Sequence, residues 1–420
     1  MGKNVWFINQ EDGSPRFNAH NRSWEFAKEL SRRGYNPVEF AASNSRFSSR
    51  QLIDGDEKYI VDESDSFPMV YVHTADEVES IIPRIKSVLS FHKGVRSCAN
   101  QIAERFGRPD IIVGSSLYPQ SALLAQRLAK QYGARAICEV RDIFPLTMQV
   151  HGLLPRKGPV AWVCSYIERR MYDKSDAVIF TIPGCHDYIS DRQWDESGGG
   201  FLSQDKVFYI NNGIDLSNFE GTAFEWYSAE PFVSDARKKV VYTGSVRRAN
   251  GIDFLVATAG HLRDEDIAIY VFGSGGELEQ LREECASQGN TSICFMGHVE
   301  KRYIPSILAQ SDVAIMSYSW EQAEIAHYGG SQNKLFDYLA AGKPVISNLK
   351  CDRSIINETS SGIERQFDGP AELAETIISL CSDERLMNKM GRNAKTASRD
   401  YSFTALTDRL ISVFDYVMGD

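Results

Sequence analysis

The sequence predicts an α/β protein built from two doubly wound parallel sheets in succession. Three observations predict it. Short apolar runs alternate with helix-patterned stretches along most of the chain. The alternation breaks once, in an irregular, aromatic-rich stretch between about 215 and 238, and then restarts. Finally, 420 residues are more than one ordinary core organises, so two domains, or three, are expected. The boundaries read as 1–215 for the first domain, 216–400 for the second, and 401–420 for a terminal helix that crosses back to the first.

The elements follow in order. Val5-Trp6-Phe7-Ile8 is a buried strand, followed by a loop to Arg22, a helix from about Ser23 to Arg33 closed by Gly34, and a strand at Val38-Glu39-Phe40. Helical stretches separate further strands at Ile111–Val113, Ala136–Val140, Ala177–Phe180 and Val207–Ile210. After the irregular stretch, which reads as a linker through about Ser234, come strands at Val240–Tyr242, Ile267–Phe272, Ser292–Phe295, Val313–Met316 and Pro344–Ser347. Ser197-Gly198-Gly199-Gly200 reads as a loop. Tyr401 to Met418 is helical in pattern.

Composition narrows the function classes. A formal net charge of −10, with 43% hydrophobic and 24% charged residues, fits a soluble globular protein and argues against nucleic acid as the main partner. The eight cysteines lie far apart with no CxxC pair, which favours packed, reduced thiols and a cytoplasmic setting over disulfides or zinc. The first residues, MGKNVWFINQEDG, do not read as a signal peptide, and no apolar run approaches a membrane span. The histidines have no companions at ligand spacing, and Asp264-Glu265-Asp266 reads as a surface turn, so no metal site is expected.

Ligands of doubly wound sheets bind at the carboxyl ends of the strands. The most informative such place is Ser331 to Ile346, SQNKLFDYLAAGKPVI. Leu335, Phe336, Leu339 and Ala340 recur at helical spacing, Gly342 ends the helix, and Gly329-Gly330-Ser331 supplies a turn with an N-cap at Ser331. A glycine turn feeding a helix N-terminus seats phosphate on unpaired N–H groups. Lys334 adds a cation, and Asp337, on one face with Asn333, offers a carboxylate to ribose hydroxyls. The same residues also fit an ordinary amphipathic helix. Three further turns point the same way: Thr243-Gly244-Ser245-Val246-Arg247-Arg248, whose guanidinium groups suit diphosphate oxygens, Gly273-Ser274-Gly275-Gly276, and Gly297-His298-Val299, whose backbone can read a flat base. Each alone is commonplace turn chemistry.

Taken together, YTGSVRRANGIDFL, VFGSGGELEQL, FMGHVEKRYIPSIL, QSDVAIMSY and GGSQNKLFDYLAAGKPVI resemble the donor-binding half of GT-B glycosyltransferases. The resemblance is to the retaining family 4 type and its bacterial surface-polysaccharide branch. ERRMYDKSDAVIF, Thr181-Ile182-Pro183-Gly184 and Asn211-Asn212-Gly213-Ile214-Asp215 resemble that family's run into the interdomain linker. The resemblance implies two Rossmann-like domains facing a cleft, with the acceptor on the first and a nucleotide diphosphate sugar, a UDP-sugar, on the second. It places Asp337 as the second acid of a Glu-x7-Glu motif, on the ribose. The first acid aligns with Gly329, a departure from the family. Backbone at Gln332 and Asn333 then holds phosphate, Lys334 and Arg247 or Arg248 supply charge, Gly244 and Gly273 line the diphosphate, and Gly297, His298 and Val299 cradle the base.

In the first half, Glu139-Val140-Arg141-Asp142-Ile143-Phe144-Pro145 looks like the branch's ExRDxxP run. Asp142 and Glu139 are read there as catalytic candidates with Arg247 and Lys334, or else as members of ion pairs with Arg141 that hold the loop. Pro15 to Arg22, with His20, is read as lying beside the donor phosphates. The implied activity is hexosyl or N-acetylhexosaminyl transfer with retention, by front-face substitution and without a divalent ion, to a glycan or polyprenyl-diphosphate-linked acceptor in polysaccharide biosynthesis. The alternatives are a nucleotide-sugar 2-epimerase and a nonenzymatic nucleotide-sugar-binding subunit. Pro83 to Arg108 reads as a basic, partly apolar helix able to lie on anionic lipid at the inner membrane face, or as a solvated helix face.

Overall fold

A computed structural model describes residues 2–17, 21–44, 52–74, 81–115, 119–222 and 225–419, and the side chains of 81–84 are not among those described. Residues 18–20 of the loop before Arg22, His20 among them, therefore lie outside the described residues, as do the side chains of Pro83 and Arg84. The chain forms two units, Met1–Asn211 with Leu406–Asp420, and Asn212–Ala405.

The first unit is built on an eight-stranded sheet. Its strands are β1 (Asn4–Ile8), β2 (Asn36–Ala42), β3 (Tyr59–Asp62), β4 (Met69–Val72), β5 (Ile111–Ser115), β6 (Arg135–Val140), β7 (Ala177–Phe180) and β8 (Val207–Tyr209). Their order is β3-β4-β2-β1-β5-β6-β7-β8, and every pair is parallel except β3 with β4. β1 is apolar and buried from Val5 to Ile8 because both faces of a central parallel strand are covered. Trp6 fills that core, with its ring centroid 5.1 Å from Phe40 and 5.5 Å from Tyr132. The helices α1 (Arg22–Arg32), α2 (Ile81–Phe106), α3 (Pro119–Tyr132) and α4 (Pro159–Asp173) lie in this unit. The edge strand β3 and its neighbour β4 have no counterpart among the strands expected from sequence; β3 is only half-buried.

The second unit has six strands: β9 (Lys238–Thr243), β10 (Ile267–Phe272), β11 (Ile293–Gly297), β12 (Val313–Met316), β13 (Val345–Ser347) and β14 (Gly362–Glu364). The order β11-β10-β9-β12-β13-β14 is parallel throughout. The chain winds outward from β9 through β10 to β11, then returns past β9 to start β12. That reversal opens a crevice at the carboxyl ends of β9 and β12.

The stretch read as a linker is not one. It contains a helix, Leu216–Thr222, and the buried Phe219 and Phe232. Phe232 packs edge-on against Tyr270 at 5.0 Å and Phe272 at 5.2 Å. Phe219, Phe232 and in part Tyr227 are core, whereas Trp226 is exposed. The terminal helix α6 (Phe403–Met418) follows α5 (Asn333–Ala340) in chain order. It meets the first unit through Phe414 on Tyr35, Tyr416 on Phe208, and Asp408 on Arg33.

Helix α5 buries Leu335, Phe336, Tyr338, Leu339 and Ala340, and Gly342 just beyond it takes a positive φ of 66°. Its cap is not Ser331. Gln332 occupies that position without a side-chain capping bond. Ser331 instead accepts from Asn212, whose Nδ2 lies 2.7 Å from the Ser331 carbonyl oxygen. The helix is fixed to the sheet by Tyr338. Its buried hydroxyl accepts from the Thr243 N–H (2.8 Å) and donates to the Ile315 carbonyl (3.4 Å), spanning the ends of β9 and β12.

Tyr338→Phe should strand the Thr243 N–H without its acceptor and destabilise the protein by about 1–3 kcal/mol. A lowered urea midpoint measures it, and an unchanged midpoint refutes the anchoring role.

Candidate functional site

The carboxyl ends of β9 to β12 bring together a set of charged groups with few protein partners. Lys334, in the first turn of α5, sends its ammonium back to β9. Nζ lies 2.7 Å from the Tyr242 hydroxyl and 4.0 Å from the centroid of the Tyr242 ring. The Tyr242 hydroxyl in turn donates to the Ser245 carbonyl at 3.0 Å. Gly244 has a φ of 144°, and a Cβ there would come within 2.7 Å of Nζ, so glycine makes room for the ammonium. Among the described residues no carboxylate pairs with Lys334. Burial without a counter-charge pushes its ammonium down to about 7.

Asp337 lies one turn along the same helix. Its side chain is partly exposed and makes no hydrogen bond or ion pair among the described residues. Burial raises its carboxyl to about 6, opposed by Lys301. The first N–H groups of a helix have no intrahelical acceptor. Here Leu335 N–H turns back to the Gln332 carbonyl at 3.1 Å, and those of Asn333 and Lys334 have no acceptor among the described residues. Gln332 Oε1 is buried without a hydrogen-bond partner among the described residues. Asn333 is exposed. The two arginines separate cleanly: Arg248 pairs with Glu321 at 2.8 Å, whereas Arg247 is exposed and makes no ion pair among the described residues.

The other glycine turns do structural duty. Gly273 donates to the Gly297 carbonyl (2.8 Å), Gly244 to that of Phe272 (2.9 Å), and Val246 to that of Ser274 (2.9 Å). These bonds carry the parallel ladder past the strand ends. A Cβ on Gly273 would fall 1.7 Å from the Gly244 oxygen, so its lack of a side chain serves backbone packing rather than an open phosphate cradle. His298 is exposed, while Val299 packs against the core beneath it. Gly329 closes a turn with a φ of 102°, its N–H donating to the Ala326 carbonyl at 2.8 Å. A side chain at that position would strain the backbone in this conformation.

In the first unit the structure corrects two readings. Glu139 is 4% exposed, and both its oxygens are taken: one by Arg22 Nε at 2.9 Å, the other by Ser115 Oγ at 3.0 Å. Burial alone would raise its carboxyl, but the Arg22 and Arg141 charges and the hydrogen bonds hold it below its ordinary value. Glu139 is thus a structural ion rather than a group facing an acceptor. Arg22, read as phosphate-facing, is equally committed; it also donates to the carbonyls of Ile210 (2.8 Å) and Asn211. Asp142 differs. It is exposed, and it forms neither the loop-holding pair with Arg141 nor any other bond among the described residues. The protein packed around it raises its carboxyl, with Arg141 and His151 opposing. Sequence reasoning missed Tyr242, Tyr338 and Ser115. For the tyrosines the available signal was a hydroxyl at the last turn of a strand and one turn past Lys334.

Residues 19–197 match the model of the glycosyl transferase 4-like domain, and residues 237–383 that of the group 1 glycosyl transferases. A putative colanic acid biosynthesis glycosyl transferase of Escherichia coli, WcaI, is 24% identical over 238 residues, 56% of each chain. The chain spans about half the length of the curated relatives it matches, between 55% and 59% for the first three. Among solved structures, sucrose-phosphate synthase from Thermosynechococcus elongatus aligns with a TM-score of 0.70 at 15% identity, covering 99% of each chain. HepE of Anabaena, in complex with UDP, aligns with a TM-score of 0.67 at 12% identity over 98% of this chain and 99% of its own. These two likenesses carry the fold.

Replacing Glu139 with Gln should leave Arg22 as an uncompensated buried cation and cost about 3–5 kcal/mol. Urea unfolding followed by circular dichroism reads this. A stability within error of the parent would reopen Glu139 as a functional carboxylate.

Proposed function

We propose that this chain, which belongs to the glycosyltransferases of GT-B fold, binds a nucleotide diphosphate sugar on its second unit and transfers the sugar with retention of configuration. The observation that carries the reading is Lys334: a partly buried ammonium with no carboxylate partner among the described residues, at the start of a helix whose first N–H groups have no acceptor among them. A diphosphate supplies the missing counter-charge, and the helix amides and the unengaged Arg247 add to its binding. Asp337, one turn on, accepts ribose hydroxyls, and Gln332 Oε1 accepts from a sugar hydroxyl. The exposed backbone of Gly297 and His298 borders the base. UDP is the nucleotide proposed, since HepE, which shares the fold, is solved with UDP.

In the transfer step the bond from the sugar's anomeric carbon to the diphosphate oxygen breaks as the acceptor hydroxyl forms its own from the same face. Charge growing on the leaving diphosphate is taken up by Lys334, Arg247 and helix amides, so no divalent ion is required. Asp142, exposed and unpaired, is the group proposed to orient or deprotonate the acceptor hydroxyl. The acceptor class proposed is a glycan or lipid-linked sugar of polysaccharide assembly. The epimerase and binding-subunit readings are not favoured by the comparisons.

Protonation gives the sharpest test. An empty seat with Lys334 near 7 must gain a proton when a diphosphate raises its pKa. UDP binding should therefore take up about half a proton near pH 7 and close to one between about pH 8 and 9, where it should weaken by about tenfold per pH unit. Calorimetry in buffers of different ionisation enthalpy measures the uptake. Lys334→Met should abolish it and weaken UDP binding about 10- to 100-fold; equal uptake in the variant would sink the assignment.

For Asp142→Asn the expected result is a fall in kcat of about 100-fold or more with UDP affinity unchanged. Full turnover would remove Asp142 from the reaction.

A further inference from the structure

The first unit carries an exposed aromatic and aliphatic face that the transfer chemistry does not use. In the first two turns of α4, Trp162 is 69% exposed and Tyr166 54% exposed, their rings stacked 5.9 Å apart. Val160 and Val163 of the same helix and Leu153 in the preceding loop are also exposed. Large apolar side chains seldom cluster in water without a partner. The opposite face of α4, with Ala161, Cys164 and Glu168, is buried, so the helix is firmly seated and its outer face is apolar by composition.

Along α4 and the loop before it the charge is one-sided, while the neighbouring segment that reaches α4 through Arg192 and Phe201 carries the exposed Asp191 and Glu196. Between Asp142 and Asp173 the sequence holds a single carboxylate, Glu168. That carboxylate is fully buried, bound by Tyr172 and Arg192, each at 3.2 Å, and by Tyr188. The exposed charges are Arg156, Lys157, Arg169 and Arg170, all positive, on a chain with a net charge of −10. Topology gives the patch its place. α4 leads into the parallel strand β7, so its N-terminal turns stand at the carboxyl edge of the first sheet, the edge that carries the Asp142 loop. The first turns of α2 reach the same edge and expose Ile85 and Leu89 beside Lys86.

We infer that the Trp162–Tyr166 face of α4 docks this protein on an anionic lipid bilayer, with the aromatic pair in the headgroup layer and the four cations over the lipid phosphates. Aromatic side chains with a polar edge suit that layer, and surrounding cations add attraction to anionic lipid. No helix among the described residues is long and apolar enough to cross a membrane, so the contact is peripheral. A second copy is a poorer occupant, because a self-complementary contact would set the four cations of one copy against those of the other. The inference is independent of the nucleotide seat, and it brings a membrane-bound acceptor to the edge that holds Asp142.

The test is cosedimentation of the full chain with vesicles of phosphatidylglycerol and phosphatidylcholine in equal parts, at low salt. The parent should sediment with these and far less with phosphatidylcholine alone. Trp162→Ser/Tyr166→Ser and, separately, Arg156→Glu/Lys157→Glu should each lower the partition coefficient by about tenfold or more. Both variants should keep the parent's UDP affinity and melting temperature, which separates this outcome from a failure of the donor assignment. Absence of the parent from the anionic vesicle pellet overturns the inference, as does undiminished partition of the aromatic variant. A dimer in sedimentation velocity that the aromatic variant dissociates would overturn it too, by giving the face to a second copy.

Discussion

The second unit depends on how firmly α5 is held to the end of β9. Two tyrosines do this from opposite sides. Tyr338 rises from the helix to take the Thr243 N–H, and Tyr242 points from the strand to meet the Lys334 ammonium. Both hydroxyls are satisfied inside the protein, which keeps their aromatic bodies in the core and their polar tips at the strand ends. The helix N-terminus therefore cannot drift from the glycine turn beside it, and the distance between Lys334 and Gly244 is set by core packing rather than by a loop. Sites built on rigid elements in this way lose little order when a ligand arrives.

The charges divide into two kinds. Arg22 and Glu139 neutralise each other in the first unit and consume the carbonyls of Ile210 and Asn211 as well. Such a pair specifies a conformation and has nothing left for a ligand. Lys334, Asp337, Arg247 and Asp142 are the reverse: among the described residues none of them has an ion-pair partner, and Lys334 meets only the Tyr242 hydroxyl and ring. Buried or crowded groups left in that state are candidates for function because a ligand can complete them. Which kind a residue belongs to is a matter of its neighbours, and ion-forming residues in a run such as Glu139-Val140-Arg141-Asp142 take their partners from distant segments.

This explains how much could be read in advance. The strand–helix alternation, the helix at 333–340 with its glycine stop, and the glycine turns after the strands were legible because each depends on local pattern and backbone chemistry. The linker reading failed because aromatic residues without periodicity look alike in a loop and in a core; Phe232 is decided by Tyr270 and Phe272, some forty residues away. Glu139 was misjudged for the same reason, since its partner is 117 positions distant. Gly273 was assigned to a ligand when its neighbour is the Gly244 carbonyl. Tyr242 was invisible as more than a strand residue until Lys334 was seen above its ring.

The Lys334 arrangement also bears on what the seat turns away. A lysine that is half discharged near neutral pH, resting on an aromatic ring, offers weak attraction to chloride or inorganic phosphate, the commonest competitors in any aqueous compartment. On the proposed reading, a larger molecule that also engages Asp337 and the helix amides gathers enough contacts to restore the charge, which would favour it over small ions without a lid or a gate.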